Sequence, residues 1–397
     1  MEETTTVVIV GAGPSGLAMA ACLGKKSIPY ILLEQEDCYG SLWKKNSYDR
    51  LSLHLAKCFC SLPHKPHKFS TPTFMSKHEF SSYLDSYVNH FNINPRYNRS
   101  VEVAYLNYKD GDNMKYYWKI ETNNMLSGER EIYAAEFLVV ATGENAKAFI
   151  PDIHGIESFK GELIHSSQYT NGRKYEGKSV LVVGSGNSGM EISNDLSEFG
   201  AQTCIVIRSP LHVLSKTMVY VGMLMLKLKM SINYVDKLIL WLAKFYYADL
   251  PKYGIHRPRL GPFLFKASGG KTPVIDGGSI DKIRSQKIKV VPAIKSITGN
   301  NVHFDDGTQG NFDVIILATG YKSVAMEWVK DYKYGLNEKG MPKNKYPNHW
   351  KGDNGIYCIG MSGRGLAGIS SDAILVANDI HNILNIGRTR TTKLKWF

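Results

Sequence analysis

Two glycine-rich segments of one design contain the residues in this sequence that could do chemistry. Each has an apolar, strand-like run, the spacing G-x-G-x-x-G, a helix-like pattern and a second apolar run, and they occupy residues 7–34 and 180–207. A glycine turn before a helix lets backbone N–H groups and the positive end of the helix approach the phosphates of a dinucleotide. One such spacing is weak evidence, whereas two in one chain predict two dinucleotide sites.

The first segment has every feature of such a site in order. Gly11 permits the turn after the strand, Gly13 lets the backbone approach a pyrophosphate, and Gly16 lets the helix pack closely. Glu34 follows the second apolar run, 18 residues after Gly16, where a carboxylate can accept hydrogen bonds from ribose hydroxyls. The segment therefore predicts a nucleotide with a free 2′-hydroxyl group, such as FAD, rather than a glycine turn with a surface glutamate.

The second segment differs from the first at the end of its second apolar run. Its glycines repeat the spacing, but the run ends in Arg208 and Ser209 and has no acid there. A carboxylate would repel a 2′-phosphate, whereas a guanidinium binds one through bidentate, charge-assisted hydrogen bonds. This end predicts NADPH. The alternative, that Arg208 is a solvated surface charge and that the site takes NADH, stays open.

Composition indicates a globular enzyme of two or three domains. The 397 residues are 43% hydrophobic and 21% charged. The net charge of +12 is spread along the chain without a nucleic-acid-binding motif, so we expect no nucleic-acid partner. The six cysteines lack the spacings of a zinc site or a C-x-x-C pair, which predicts no metal and reduced thiols.

The sequence contains no pattern typical of a leader or a membrane span. The first strand-like run begins by Val7, so we expect no removable leader. Lysines interrupt the most apolar stretch, residues 218–247, so that no uncharged run of about 18 residues exists. We therefore expect a cytoplasmic protein. For residues 218–247, a packed lid, a substrate tunnel and peripheral membrane contact stay open.

The order of the apolar patterns predicts the fold class. A helix is expected over 80–91, and sheet over 101–121 and 129–140, with Ala-Thr-Gly turns at 141–143 and 318–320. Residues 355–360 and 371–384 resemble a closing strand and helix. The prediction is an α/β protein with two Rossmann-like dinucleotide-binding domains. A three-layer, parallel-sheet FAD domain (1–170 and 311–397) would be interrupted by an inserted NADPH domain (171–310).

The segment between the two glycine motifs carries a family resemblance. Phe159, Gly161, His165 and Tyr169 match F-x-G-x-x-x-H-x-x-x-Y, which resembles the identifying motif of the class B flavin-containing monooxygenases. With both glycine motifs and the run Ala-Thr-Gly-Tyr at 318–321, the resemblance covers nearly the whole chain. Within this family, the segments that resemble the plant YUCCA branch are Trp43-Lys44-Lys45, Tyr48-Asp49-Arg50-Leu51, Leu53-His54-Leu55 and Thr272-Pro273-Val274-Ile275-Asp276.

The resemblance implies an activity and its cofactors. YUCCA enzymes convert indole-3-pyruvate to the auxin indole-3-acetate with FAD, NADPH and O2, through a C4a-(hydro)peroxyflavin and without a metal. Asn46, Ser52 and Ala56 depart from the commonest pattern of the branch, which keeps open N- or S-oxygenation of an amine or thioether. A flavin disulfide reductase is disfavoured because no C-x-x-C pair follows either glycine motif.

One position sets this branch apart near the flavin. Many members outside the branch have an asparagine there, and alignment through Lys57 places His54 at that position. His54 is expected either to contact the reactive flavin or to be a structural residue on a partly buried strand. The predicted catalytic residues are His54, Lys57 and Asn187. The predicted cofactor-binding residues are Gly11, Gly13, Pro14, Ser15, Gly16, Glu34, Gln35, Leu42, Trp43, His54, Thr142, Gly143, Gly184, Ser185, Gly186, Asn187, Ser188, Gly189, Arg208, Ser209, Ala318, Thr319, Gly320 and Tyr321.

Overall fold

The structure is a computed structural model that describes residues 2–109 and 112–393. The chain forms two compact units. The first comprises Met1–Lys45, Lys57–Lys147 and Tyr321–Phe397, and the second comprises Asn46–Ala56 and Ala148–Gly320.

The chain contains runs of consecutive strands as well as strands that alternate with helices. The strands are β1 (Glu2–Val10), β2 (Tyr30–Leu33), β3 (Arg99–Lys109), β4 (Asp112–Asn124), β5 (Arg130–Val140), β6 (Lys147–Ala148), β7 (Glu162–His165), β8 (Ser179–Val183), β9 (Gln202–Val206), β10 (Val213–Ser215), β11 (Val274–Asp276), β12 (Ile288–Val291), β13 (Ile294–Thr298), β14 (Asn301–Phe304), β15 (Gln309–Asn311), β16 (Val314–Leu317), β17 (Tyr321–Lys322) and β18 (Ile356–Cys358). The α-helices are α1 (Pro14–Lys25), α2 (Ser41–Lys44), α3 (Lys77–Phe91), α4 (Asn187–Glu198), α5 (Lys216–Lys227), α6 (Ile232–Tyr246), α7 (Pro262–Ala267), α8 (Ser279–Arg284), α9 (Ala325–Trp328) and α10 (Leu366–Lys393). Short 3-10 turns occur at Lys57–Phe59, Ile156–Ser158, Gly172–Tyr175, Leu250–Tyr253 and Tyr332–Tyr334.

The first unit is built on a mixed sheet. β2, β1 and β5 are parallel neighbours, and β18 pairs in parallel with the carboxyl half of β5. β4 pairs antiparallel with the amino half of β5, and β3 pairs antiparallel with β4. The predicted α/β fold with a Rossmann-like first domain is confirmed, and β2, β1, β5 and β18 form the expected parallel part of its sheet. β3 and β4 are antiparallel additions, because the short connection 125–129 allows only a hairpin between β4 and β5.

The second unit contains a parallel sheet covered on both faces. Its strand order is β12-β9-β8-β16-β7, and every neighbouring pair is parallel. Along β8, Val180 and Val182 enter one hydrophobic cluster, while Leu181 and Val183 enter another on the opposite face. This alternation follows from the two-residue period of a strand, and both faces are apolar because both are buried.

In each unit, the strand before the glycine turn lies beside a strand that ends in Ala-Thr-Gly. β1 pairs with β5 in the first unit, and β8 pairs with β16 in the second. In the second sheet the strand order reverses between β8 and β16. Ligands of such sheets bind at the carboxyl ends of the strands, at the point where the order reverses.

The boundaries of the two compact units differ from those of the predicted domains. Residues 148–170 and 311–320 belong to the second unit because β16 lies between β8 and β7 in its sheet. Residues 151–161, which precede β7, pack there through Ile153, Ile156 and Phe159. Residues 46–56 join the same unit, in which Tyr48 is part of the core. These pairings join positions far apart in sequence, which a local apolar pattern does not reveal.

Candidate functional site

The first glycine turn is fixed by two close backbone contacts. Gly11 has a φ of +103°, which favours glycine, and a Cβ added to it would lie 2.8 Å from the carbonyl oxygen of Ala141. A Cβ on Gly16 would lie 1.8 Å from the carbonyl oxygen of Gly11. In contrast, a Cβ on Gly13 would have no neighbour within 4 Å in the described part of the chain. The outer glycines are needed for packing, and the middle one faces open space that a phosphate can enter.

The second glycine turn repeats this geometry. Gly184 has a φ of +118°, and a Cβ on it would lie 2.3 Å from the carbonyl oxygen of Ala318. A Cβ on Gly189 would lie 1.9 Å from the carbonyl oxygen of Gly184, whereas one on Gly186 would meet no described atom within 4 Å. The two Ala-Thr-Gly turns are therefore the packing partners of the two glycine turns. Ser185 lies in the second turn and Ser188 in the first turn of α4, and both are half-buried.

The carboxylate of Glu34 holds the first glycine turn through a backbone N–H group of that turn. Its Oε2 accepts a hydrogen bond of 2.6 Å from the N–H of Ala12, and its Oε1 accepts one of 3.0 Å from the N–H of Glu36. The side chain is 7% exposed, and burial raises its pKa while the backbone N–H bonds oppose that rise. Each carboxylate oxygen has a second lone pair, so Glu34 can still accept hydrogen bonds from a ribose.

Two turns at the carboxyl end of the first sheet offer buried hydroxyl groups. Thr142 and Ser362 each have a buried Oγ without a hydrogen-bond partner among the residues that the structure describes. The turns are joined, because Glu144 Oε2 accepts a hydrogen bond of 3.1 Å from the N–H of Gly363. A buried hydroxyl without a partner is costly, and a bound nucleotide would satisfy both. The first unit thus fits a dinucleotide with a free ribose hydroxyl.

A buried pair that the sequence did not suggest supports the same region. Asp372 Oδ1 lies 3.1 Å from His349 Nε2, and its Oδ2 accepts a hydrogen bond of 3.3 Å from the N–H of Gly360. A Cβ on Gly360 would lie 2.1 Å from Ser15 Oγ at the start of α1. Asp372 therefore sets the turn after β18 against the helix that would bind the pyrophosphate.

The other predicted residues of the first unit differ in exposure. Pro14 begins α1 and Gln35 is exposed directly after Glu34. In α2, Leu42 is exposed, and the Trp43 ring packs edge-on against Phe80 at 4.6 Å between centroids. Of the remaining two residues, Gly143 lies in the Ala-Thr-Gly turn after β5 and Tyr321 begins β17.

Two of the three predicted catalytic residues meet at α4. Asn187 begins the helix, and its Oδ1 accepts a hydrogen bond of 2.7 Å from the N–H of Ile275. His54 Nε2 lies 2.7 Å from Glu191 Oε1, one helical turn after Asn187, and Tyr48 donates its hydroxyl hydrogen to the other Glu191 oxygen. α4 therefore orients both His54 and the strand β11 that follows the Thr272-Pro273 segment.

Lys57 is in the first unit and anchors a loop there. Its Nζ donates hydrogen bonds to the carbonyl oxygens of Lys68, Phe69 and Thr71. An ammonium group has three N–H donors, and all three are used. This geometry accounts for Lys57 as a structural residue, and its catalytic role stays a prediction.

The end of β9 and the second Ala-Thr-Gly turn carry the other predicted residues. Arg208 is exposed just beyond β9 and has no protein partner in the described ranges, while Ser209 is half-buried. Thr319 donates its hydroxyl hydrogen to the carbonyl oxygen of Phe149. Gly320 contributes its carbonyl oxygen to the contact with His165 described next.

The residues of F-x-G-x-x-x-H-x-x-x-Y connect three elements of the second unit. His165 Nδ1 accepts a hydrogen bond of 3.1 Å from the N–H of Ser167, so its Nε2 carries the hydrogen that reaches the Gly320 carbonyl oxygen at 3.1 Å. Tyr169 donates its hydroxyl hydrogen to Asp195 Oδ2 at 2.6 Å. The motif thereby joins β7 to the Ala-Thr-Gly turn and to α4. Burial lowers the pKa of His165, which keeps the ring neutral.

Sequence reasoning missed the acids on α4 that receive these contacts. Asp195 also accepts a hydrogen bond of 2.7 Å from the N–H of Gly172, and Arg50 lies 3.3 Å from its Oδ1. Glu191 and Asp195 are four residues apart and share one face of the helix. In the sequence, the signal that could have identified them is two acids four residues apart, flanked by apolar Met190 and Leu196.

Comparison with known proteins agrees with this geometry. Residues 4–364 match the family described as Flavin-binding monooxygenase-like. The chain belongs to that family. In the described part of the chain, no cluster of His, Cys, Asp and Glu side chains could hold a metal ion. Family membership therefore assigns a flavin to a protein whose first unit already has a fitting dinucleotide turn.

Relatives within the family cover nearly the whole chain. The probable indole-3-pyruvate monooxygenase YUCCA10 of Arabidopsis thaliana is 52% identical over 96% of this chain and 98% of its own length. The indole-3-pyruvate monooxygenase YUCCA1 of Oryza sativa subsp. japonica is 43% identical over 94% of this chain and 91% of its own. A flavin-containing monooxygenase from Stenotrophomonas maltophilia shares the fold, with a TM-score of 0.71 at 18% identity over 96% of this chain and 99% of that chain.

Substitutions at Gly13 and Gly16 should separate flavin binding from folding. Gly13→Val should fold but lose the flavin absorbance, because the new side chain fills the open space in front of the turn. Gly16→Ala should fail to fold, since its Cβ would overlap a backbone oxygen. Circular dichroism and the flavin spectrum of the purified variants distinguish these results. A yellow Gly13→Val protein would refute the assignment of this turn to the flavin.

The neutral His165 predicts a pH dependence of stability. Its folded-state pKa is lowered by burial, so below the ordinary value of 6.5 the unfolded chain binds a proton that the native ring does not. The stability contribution is present above that pH and is lost as the pH falls. His165→Gln should therefore show a weaker decline in the urea midpoint than the wild type between about pH 7.5 and about pH 5.5. Exposed His256→Gln serves as the control, and parallel curves for wild type and His165→Gln would contradict the account.

Proposed function

We propose that this monooxygenase uses FAD and NADPH to convert indole-3-pyruvate into indole-3-acetate and CO2. The assignment of the substrate is supported by the 43–52% identity to proteins named indole-3-pyruvate monooxygenases over 94–96% of this chain. The reaction balances as 2-oxo acid, O2, NADPH and a proton giving the shorter acid, CO2, NADP⁺ and water. One oxygen atom enters the acid and the other leaves as water.

The two glycine turns take different nucleotides in this proposal. FAD binds in the first unit, where Glu34 is available to ribose hydroxyls. NADPH binds in the second unit, where exposed Arg208 follows β9 and no acid stands at that position. The predicted cytoplasmic location is also a proposal, and it is supported by the six cysteines, none of which forms a disulfide bond within the described residues.

The bound flavin supplies the chemistry, accepting two electrons from NADPH and activating O2. The side chains and backbone of this chain do the rest. The N–H groups at the start of α1 bind the pyrophosphate. Thr142 and Ser362 offer their unpartnered hydroxyl groups to the nucleotide, and the pair of Asp372 and His349 keeps the turn after β18 in place.

His54 is proposed to act on the reactive flavin. Glu191 fixes its Nε2 at 2.7 Å, while Nδ1 has no protein partner among residues 2–109 and 112–393. A ring held at one nitrogen presents the other in a defined direction. Such a nitrogen can donate or accept one hydrogen bond according to its protonation.

The substrate assignment is tested with purified holoenzyme, NADPH, O2 and indole-3-pyruvate. One indole-3-acetate and one CO2 should form for each NADPH consumed, as measured by chromatography and gas release. Parallel reactions contain an amine or a thioether instead. If indole-3-pyruvate yields only hydrogen peroxide, while an amine or thioether yields its oxide efficiently, N- or S-oxygenation replaces the proposal.

The preference for NADPH should depend on Arg208. One charge-assisted contact contributes about 1.5–3 kcal/mol, so Arg208→Ala should reduce the preference for NADPH over NADH by roughly tenfold to a hundredfold. The readout is the rate of anaerobic flavin reduction at a series of nucleotide concentrations. Arg173→Ala, an exposed arginine ahead of β8 at the opposite end of the sheet, is the matched control. An unchanged ratio in Arg208→Ala would show that this residue does not select the nucleotide.

A further inference from the structure

The hairpin of α5 and α6 exposes an unusual set of apolar side chains. We define the hairpin surface as Leu224, Leu228, Met230, Tyr234, Trp241 and Phe245, all exposed. Leu228 is 70% exposed, Trp241 is 66% exposed and Phe245 is 77% exposed. Their spacing places Tyr234, Trp241 and Phe245 along one side of α6. Clustered exposed apolar residues of this kind mark interaction sites.

The opposite side of α6 is firmly packed. Val235, Ile239 and Ala243 are buried in the core of the second unit. Asp236 accepts hydrogen bonds of 2.9 Å from the N–H groups of Phe263 and Leu264, and so caps α7. The helix is therefore fixed in its orientation, and the rings of the hairpin surface are additional to the core.

The exposed charges on the two helices of the hairpin and their connection have one sign. Four exposed lysines lie on the two helices and their connection: Lys227, Lys229, Lys237 and Lys244. Residues 216–247, all of which the structure describes, contain one acid. That acid is Asp236, which is buried and has both oxygens engaged. The exposed face is thus both apolar and cationic.

We propose that the hairpin surface docks on an anionic phospholipid membrane. Trp and Tyr side chains favour the boundary between headgroups and acyl chains, and lysines pair with anionic headgroups while their stems cover apolar surface. α6 has 15 residues, about 22 Å at the usual helical rise, and it carries charges. Within the described residues, no helix is long and apolar enough to cross a membrane. The hairpin would therefore lie along the surface.

Charge also decides against a second copy of the chain as the occupant. A two-fold contact brings one patch against the same patch of its partner. Here it would bring the exposed lysines of both copies into one interface, without an exposed acid in 216–247 to pair with them. Like charges brought together at an interface are unfavourable. Anionic lipid supplies the complementary charge that a second copy lacks.

The test is flotation of holoenzyme with vesicles of phosphatidylcholine, with or without phosphatidylserine. The wild type should bind vesicles that contain phosphatidylserine, and salt should weaken the binding. Trp241→Ser with Phe245→Ser should weaken partitioning on the order of tenfold for each ring. Lys237→Gln with Lys244→Gln should weaken it by about fivefold for each lysine. Phe69→Ser and Lys339→Gln, exposed residues of the first unit, are the matched controls and should bind as the wild type.

Each outcome decides the proposal. Flavin content and thermal unfolding verify that the variants are folded, and the lysine pair tests the charge independently of the rings. Wild type that does not bind phosphatidylserine vesicles at low salt would overturn the proposal, as would variants that bind equally well. Sedimentation showing a concentration-dependent dimer that Trp241→Ser with Phe245→Ser abolishes, without vesicle binding, would assign the surface to a second copy instead.

Discussion

The close contact between each glycine turn and an Ala-Thr-Gly turn is the constraint on which both candidate sites depend. In each unit, a Cβ added to the first glycine would lie 2.3–2.8 Å from the carbonyl oxygen of the alanine. A Cβ added to the third glycine would lie 1.8–1.9 Å from the carbonyl oxygen of the first glycine. Neither contact tolerates a side chain. Together they bring the helix N-terminus to the point between neighbouring parallel strands and leave the middle glycine open to a phosphate.

The motif F-x-G-x-x-x-H-x-x-x-Y has a structural role beside the second glycine turn. His165 and Tyr169 contact no open space; they hold the Gly320 carbonyl and Asp195. α4 receives contacts from Tyr169 and from His54 in the distant segment 46–56. The motif therefore maintains the shape of the nucleotide turn.

The sequence predicted turns and single elements better than contacts between residues that are far apart in the chain. Both glycine turns, the position of Glu34 after β2 and the parallel arrangement around β1 and β8 follow from short-range patterns. The same holds for the helix that was expected over 80–91 and is observed over 77–91. The place of β16 and the packing of 46–56 do not, because they depend on partners more than a hundred residues away. The contact between Glu191 and His54 could not be predicted for the same reason. The mixed first sheet was missed because apolar alternation does not reveal strand direction.

The central claim is that the first unit holds a flavin that is reduced by the nucleotide of the second. Anaerobic rapid mixing of yellow holoenzyme with NADPH tests it most directly, by following the loss of the oxidised flavin absorbance. Wild type should lose that absorbance. Gly186→Val, in which only the open glycine of the second turn is filled, should stay yellow and be reduced far more slowly at the same NADPH concentration. A wild-type flavin that remains oxidised under excess NADPH, or a Gly186→Val protein reduced at the wild-type rate, would contradict the account.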